Sequence, residues 1–201
     1  RVTEVTYLGV VYGTMAAPTI TVTSSGIYIA YGGLLGTAGT QLLTINAMTT
    51  DGALVVLGDQ QQGSASANSA GWYMNSDGDL YTEAMVLNAL DWNGGPDPDV
   101  LIYNLNPEGT GVEGGHVSDI TLNTGGSVRI EGIIDFRNVG AGDSMTINAG
   151  NAIEIDTDTG GIQLADADGN YAGELNLNAQ DIWSGDGELL AMLEEDPNFE
   201  G

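Results

Sequence analysis

The residues with the most chemical potential in this chain are carboxylates set close together. Asp166, Asp168 and Asn170 alternate around Gly169, and Asn75, Asp77 and Asp79 alternate around Gly78. Oxygen-rich turns of this kind suit calcium, which takes roughly six to eight oxygen ligands. Neither cluster continues as an EF-hand loop, because position six is not Gly and Leu177 and Val86 stand where the bidentate Glu would be. Asp and Asn beside Gly are also ordinary turn formers. The six residues are therefore candidate calcium ligands set against a reading as solvated turns.

Two simpler oxygen-rich pairs are Asp156 with Asp158 and Asp97 with Asp99. Of these, Asp156 and Asp158 could share one face of a strand and in principle flank a glycosidic bond. A glycan lyase would also need Lys or Arg to handle developing charge, and a site for acidic sugars would be basic. The chain has no Lys, and its only Arg residues are Arg1, Arg129 and Arg137. His116 is the single histidine and has no cysteine to share a metal with, so it reads as a loop residue. Gly-rich segments are not followed by Lys and are not phosphate loops. Trp72, Trp92 and Trp183, with the tyrosines, could stack on sugar rings or pack under loops. Thr19, Thr21 and Thr23 share one side of a strand, as on ice-binding solenoids. The array does not recur obviously in later segments and reads as an exposed strand face. Nothing here assembles into an active site, and the chain is read as non-enzymatic.

Composition narrows the functions further. The chain of 201 residues carries 28 acidic residues against three basic ones, a formal net charge of −25. Nucleic-acid binding rests on Lys and Arg neutralising phosphates, which excludes that class. Anionic membrane surfaces are disfavoured for the same reason. The acidity suits cation binding, life at high salt, or an extended surface protein kept soluble by its charge. Cysteine is absent, so there is no disulfide framework or thiolate chemistry. The chain opens at Arg1 with no signal peptide and reads as a processed fragment. Its longest apolar stretch, 26–36, is too short and too rich in Gly for direct membrane insertion.

The elements that would position these residues are strands. Short apolar-polar alternation dominates, as in Thr19 to Thr23 and Val128 to Glu131. A unit of apolar, any, apolar, Asn recurs and ends at Asn46, Asn88, Asn106, Asn123, Asn148 and Asn178. The intervals are 42, 18, 17, 25 and 30 residues, and the first could hold two turns of equal length. The segments from Ile120 to Glu131 and from Met145 to Asp156 align without gaps as strand, corner, strand. Such spacing predicts the coils of a β-solenoid, in which each coil buries its apolar side chains only by stacking on its neighbours. The recurring Asn would sit where the chain turns and could form a ladder between coils.

Other segments read differently. Residues 1–40 contain strands, Thr3 to Gly13 and Thr19 to Tyr31, in a less regular arrangement. Leu54 to Leu57 reads as a buried strand. Gln60 to Ser69 and Asn93 to Asp99 read as loops. Residues 186–196 predict a short helix, with Asp186 as N-cap, Leu189, Leu190 and Leu193 on one face and Pro197 beyond the end. That helix could cover an open end of the stack, where bare strand edges invite aggregation.

The tandem Asn-terminated units, the run from Leu175 to Trp183, Leu189 with Leu190, and the ending Asp196-Pro197-Asn198-Phe199 resemble large bacterial exoproteins. The resemblance is to filamentous-haemagglutinin-like proteins and autotransporter passengers, and it covers roughly residues 40–200. It implies a right-handed parallel β-helix; with the short C-terminal helix read from residues 186–196, the expected fold is all-β and forms one domain over 1–201. It also implies export across the outer membrane and a place at the cell surface. The chain departs from the secretion domain of such proteins, which carries Asn-Pro-Asn-Gly where this sequence has only Asn106-Pro107-Glu108-Gly109.

The expected function is a secreted structural or adhesive segment that self-associates, possible partners being a host or neighbouring-cell surface or a glycan. The alternative is a glycan-binding or glycan-cleaving β-helix with an acidic cleft. Calcium is the one cofactor expected of either.

Overall fold

The computed structural model describes residues 2–6, 9–29, 33–49, 55–57, 72–76, 79–102, 116–135, 143–156, 161–163 and 173–184. Every regular element among them is a strand, and none is helical. In chain order the first seven are β1 (Val2–Thr6), β2 (Gly9–Val11), β3 (Thr14–Met15), β4 (Thr19–Ser24), β5 (Ile27–Ile29), β6 (Leu34–Gly36) and β7 (Leu42–Thr49). The next six are β8 (Val55–Leu57), β9 (Trp72–Ser76), β10 (Asp79–Asp91), β11 (Val100–Ile102), β12 (His116–Thr124) and β13 (Val128–Ile130). The last six are β14 (Ile133–Asp135), β15 (Ser144–Ala149), β16 (Ala152–Ile155), β17 (Gly161–Gln163), β18 (Glu174–Asn178) and β19 (Asp181–Ser184). The expected helix over 186–196 and the loop over 60–69 lie outside the described residues.

Two parallel sheets organise these strands. The first runs β1-β4-β7-β10-β12-β15-β18, with β3 and β6 joined to its margin through the start of β10. The second runs β19-β16-β13-β11-β8-β9-β5-β2, and β14 pairs with β17 separately. The chain passes back and forth between the two main sheets, so parallel neighbours in one are joined by a passage that includes a strand of the other. The alternation is broken where β3 and β4, and β6 and β7, follow one another in the first sheet, and where β9 follows β8 in the second. Strand β9 inserts between β5 and β8, giving the second sheet a strand with no counterpart in the first.

The alternating pattern explains the packing. In β7 every second residue is buried. Pairing lines these residues into columns, one of which is Ile20, Leu43, Met85, Ile120, Met145 and Leu175. A parallel column holds Val22, Ile45, Leu87, Leu122, Ile147 and Leu177. The second sheet contributes Val55, Val100, Val128, Ile153 and Ile182. Leu43, Ile45, Leu87, Leu122, Ile130 and Ile153 are fully buried. Each such side chain contributes about 1.5–3 kcal/mol relative to exposure. The aliphatic core thus follows the stacking direction, and it needs almost no aromatic residues.

The first sheet corrects two expectations about spacing. Asn46 pairs directly with Asn88, so in the first sheet the interval of 42 residues is a single step, although it supplies two strands, β8 and β9, to the second sheet. Asn88 pairs directly with Asn123, which leaves no rung between them for Asn106, itself outside the described residues. The N-terminal strands are more regular than expected in this sheet: β1 pairs with β4 from Val2↔Ile20 to Thr6↔Ser24.

Corners are built by the layers on either side. Gly150 donates its N–H to the Thr124 carbonyl at 2.9 Å, and Asn151 to that of Gly126 at 3.1 Å. Gln180 repeats the pattern, donating to Asn151 through its backbone at 2.8 Å and to Gly150 through its side chain at 2.6 Å. The approach is so close that a Cβ on Gly150 would overlap the Gly125 carbonyl. Gly36 is required for two reasons: its φ is +89°, and a Cβ there would run into the Tyr81 carbonyl.

Candidate functional site

The outward side of the first sheet carries the most regular polar array in the molecule. Residues between the buried columns point away from the core because side chains alternate along a strand. Asn46, Asn88, Asn123, Asn148 and Asn178 therefore form one column, and their amides are joined end to end. Asn46 donates through Nδ2 to Thr23 Oγ1 at 3.0 Å. Asn88 donates to Asn46 Oδ1 at 3.0 Å, and Asn123 to Asn88 at 2.9 Å. Asn148 donates to Asn123 at 2.8 Å, and Asn178 to Asn148 at 2.9 Å. The ladder expected from the repeating unit is present, and it has a direction. Its location differs from expectation, since Asn46 and Asn88 lie inside strands and not at turns.

Beside the ladder runs a column of Thr21, Thr44, Val86, Thr121, Thr146 and Asn176. Only the Thr21 position is echoed by later threonines; Thr19 pairs with Leu42 and Thr23 with Asn46, so the three-threonine array itself does not recur in register, as expected. Both columns are uncharged in a chain of net charge −25. Charge enters the next column, where Asp119 accepts a hydrogen bond from Ser144 Oγ at 2.7 Å and pairs at the backbone with it.

The turn at residues 92–99 rises beside the Asn column. The Asp91 carboxylate pins it by accepting the N–H groups of Asn93 at 2.8 Å and Gly95 at 2.9 Å. Asp97 Oδ2 accepts the Gly125 N–H at 3.2 Å, and Asp99 Oδ1 accepts that of Ser127 at 2.7 Å. Thr124 Oγ1 donates to the Pro98 carbonyl at 2.5 Å. The pair Asp97 and Asp99 is thereby engaged in holding the next corner. Between this turn and the ladder lies an open groove of about 280 Å3, lined by Asn88, Asn123, Asn148, Asp97, Leu90 and Ala149 among others.

A separate cluster occupies the outer side of the second sheet. Arg129 Nε lies 3.2 Å from Glu131 and 3.8 Å from Glu154, and its Nη2 lies 3.4 Å from Asp156. Glu131, then Glu154, raise the guanidinium pKa above its ordinary value, with burial opposing them. Asp156, one of the two carboxylates considered for glycan cleavage, is engaged here by Arg129, and Asp158 lies outside the described residues.

The calcium candidates are placed as follows. Asp166, Asp168, Asn170 and Asp77 lie outside the described residues. Asn75 belongs to β9 and Asp79 opens β10. Among the described residues no three carboxylate or imidazole groups gather to hold a metal ion. His116 begins β12, so it stands in a strand and not in the expected loop. Trp92 and Trp183 are exposed, at 54% and 45%.

Comparison with known proteins gives no match: no family profile, no curated protein and no solved structure is similar to this chain. Among the described residues no helix is long and apolar enough to cross a membrane.

Proposed function

We propose that this chain is a segment of a right-handed parallel β-helix and serves as a structural or adhesive shaft in a secreted, cell-surface protein. The observation that carries the reading is the amide ladder. Five consecutive hydrogen bonds run from Asn178 to Thr23 through strands that are all paired in parallel. A column of identical side chains at one repeat favours a single stacking axis over a two-sheet sandwich. Among the described residues the strands pass from sheet to sheet with no helix between them, as coils would require.

The resemblance to filamentous-haemagglutinin-like proteins and autotransporter passengers belongs to this reading. Such shafts extend by stacking, and strand addition at an end supplies backbone hydrogen bonds to a second copy. A head-to-tail contact of that kind does not close and builds fibres. The strong acidity keeps lateral faces apart. Calcium or salt would stabilise the shaft by relieving that repulsion.

Small-angle scattering with analytical ultracentrifugation tests the reading. The seven strands of the first sheet span about 29 Å at ~4.8 Å per step. A single copy of that length is about as wide as it is long, so the expected signature is growth along one axis into a rod as concentration rises. A compact isotropic particle at all concentrations refutes it.

A further inference from the structure

The groove beside the amide ladder is unexplained by a shaft. A uniform shaft would turn each corner in the same few residues. β12 and β15 do so, reaching β13 and β16 through residues 125–127 and 150–151. β10 instead continues to Asp91, and the chain takes residues 92–99 to reach β11. That longer turn is anchored at both ends by the Asp91, Asp97 and Asp99 carboxylates. It forms a wall held in place before any ligand arrives, which is the usual condition for a binding site.

The opposite wall has unused hydrogen-bonding capacity. An Asn amide offers two N–H donors and two acceptor lone pairs. In the ladder Asn88, Asn123 and Asn148 each give one donor and one lone pair to their neighbours. One N–H and one lone pair per rung remain for solvent or ligand, repeating every ~4.8 Å along the groove. These are paired donors and acceptors, the complement of adjacent hydroxyls on a sugar ring. Leu90 and Ala149 supply apolar surface for the C–H edges of such a ring, and Asp97 supplies a charged acceptor. Trp92, on the same turn, is 54% exposed.

We propose that this groove binds a neutral polysaccharide chain lying along the stacking direction. An anionic glycan is opposed by Asp97 and by the net charge of −25. A calcium ion would want roughly six to eight oxygens, whereas the lining offers one carboxylate and amides already bonded to one another. The inference uses the ladder and the turn, not self-association or closure of the coils. The scattering test reads shape and the test below reads the groove, so either can fail alone.

The full chain is titrated calorimetrically with cellohexaose, mannohexaose and, as the charged comparison, hexagalacturonate. Saturable binding of at least one neutral hexasaccharide is expected, with the anionic one at least about tenfold weaker. Asp97→Asn keeps a carbonyl oxygen for the Gly125 N–H but removes the charged acceptor. It should weaken binding about tenfold. Leu90→Arg places a long cation across the groove within reach of Asp97 and should abolish binding. Melting curves check that both variants fold, and Asp97→Asn alone decides the matter if Leu90→Arg does not. No binding by either neutral hexasaccharide overturns the proposal. So does binding that both folded variants retain at full strength, or equal binding of hexagalacturonate.

Discussion

Replacing Asn123 by Ala tests the amide ladder where it is most connected. Asn123 donates to Asn88 at 2.9 Å and accepts from Asn148 at 2.8 Å. The substitution breaks both bonds and leaves an acceptor on one neighbour and a donor on the other. All three residues are only partly buried, so water can reach the abandoned groups. The loss is then the net value of two ordinary hydrogen bonds, about 1–3 kcal/mol together. Asn178 stands at the end of the column, is exposed, and makes only the donated bond to Asn148 at 2.9 Å within the ladder. Asn178→Ala should cost about half as much, ~0.5–1.5 kcal/mol. Urea unfolding followed by far-ultraviolet circular dichroism measures both, with the slope checked for constancy so that the midpoints report stability. In a stacked array the inner rung couples two interfaces and the outer rung one, which sets the ratio. Equal costs at the two positions, or no cost at Asn123, would refute the ladder as a source of stability.

Other perturbations probe the corners, the core and the charge. Gly150→Ala forces a methyl against the Gly125 carbonyl and should destabilise by about 1–3 kcal/mol in the same urea assay. Ile147→Ala empties a fully buried site in the second inner column and should cost about 2–5 kcal/mol, more than any ladder variant. Arg129→Gln leaves Glu131, Glu154 and Asp156 facing one another without a cation. Its melting temperature should fall below that of the parent at low salt, with the gap closing at high salt as screening takes over. The raised guanidinium pKa lies above the working range, so Arg129 keeps its charge there and its contribution is lost only at extreme alkaline pH. The parent's own melting temperature should rise with salt, given a net charge of −25. Calcium should add to that rise at matched ionic strength, and identical curves with and without calcium would remove it from the account.

Much of the fold was legible because two signals agreed. Period-two alternation marked the strands, and Asn marked their register. Both survive in any parallel stack, since a column of inward Leu and Ile forces the next residue outward on every rung. The failures came from intervals. Sequence spacing cannot say whether 42 residues make one step of the first sheet or two, and only Asn46 donating nothing further than Thr23 while accepting from Asn88 decides it. The unit ending at Asn106 matched the pattern by residue type but lies outside the described residues, and Asn88 and Asn123 are direct neighbours in the column. The column of threonines at the Thr21 position was hidden because its members recur at unequal distances. Asp97 and Asp99 read as one more oxygen-rich pair in a loop, because carboxylates two residues apart beside Pro and Gly suggest a solvated or calcium-holding turn. Their use as acceptors for Gly125 and Ser127 depends on a corner 28 residues away. No local signal encodes that contact.

The unequal intervals also locate where function can enter such a scaffold. The ladder advances one rung whether the passage takes 42, 35, 25 or 30 residues. Loop closure becomes only slowly more costly with length, so extra residues between rungs weaken the stack little provided the strands keep register. The columns of Leu, Ile and Asn are thus under one constraint and the connections under another. Where a connection stays short, as at 150–151, the corner follows its neighbour and offers a smooth surface. Where it lengthens, as at 92–99, the extra residues must fold back against the next layer, and the space they fence off is a groove. In this chain that groove runs along an array of half-used amides on an uncharged face. The same repeat that keeps the parallel strands in register therefore supplies a ready-made row of donors and acceptors wherever a long turn stands beside it.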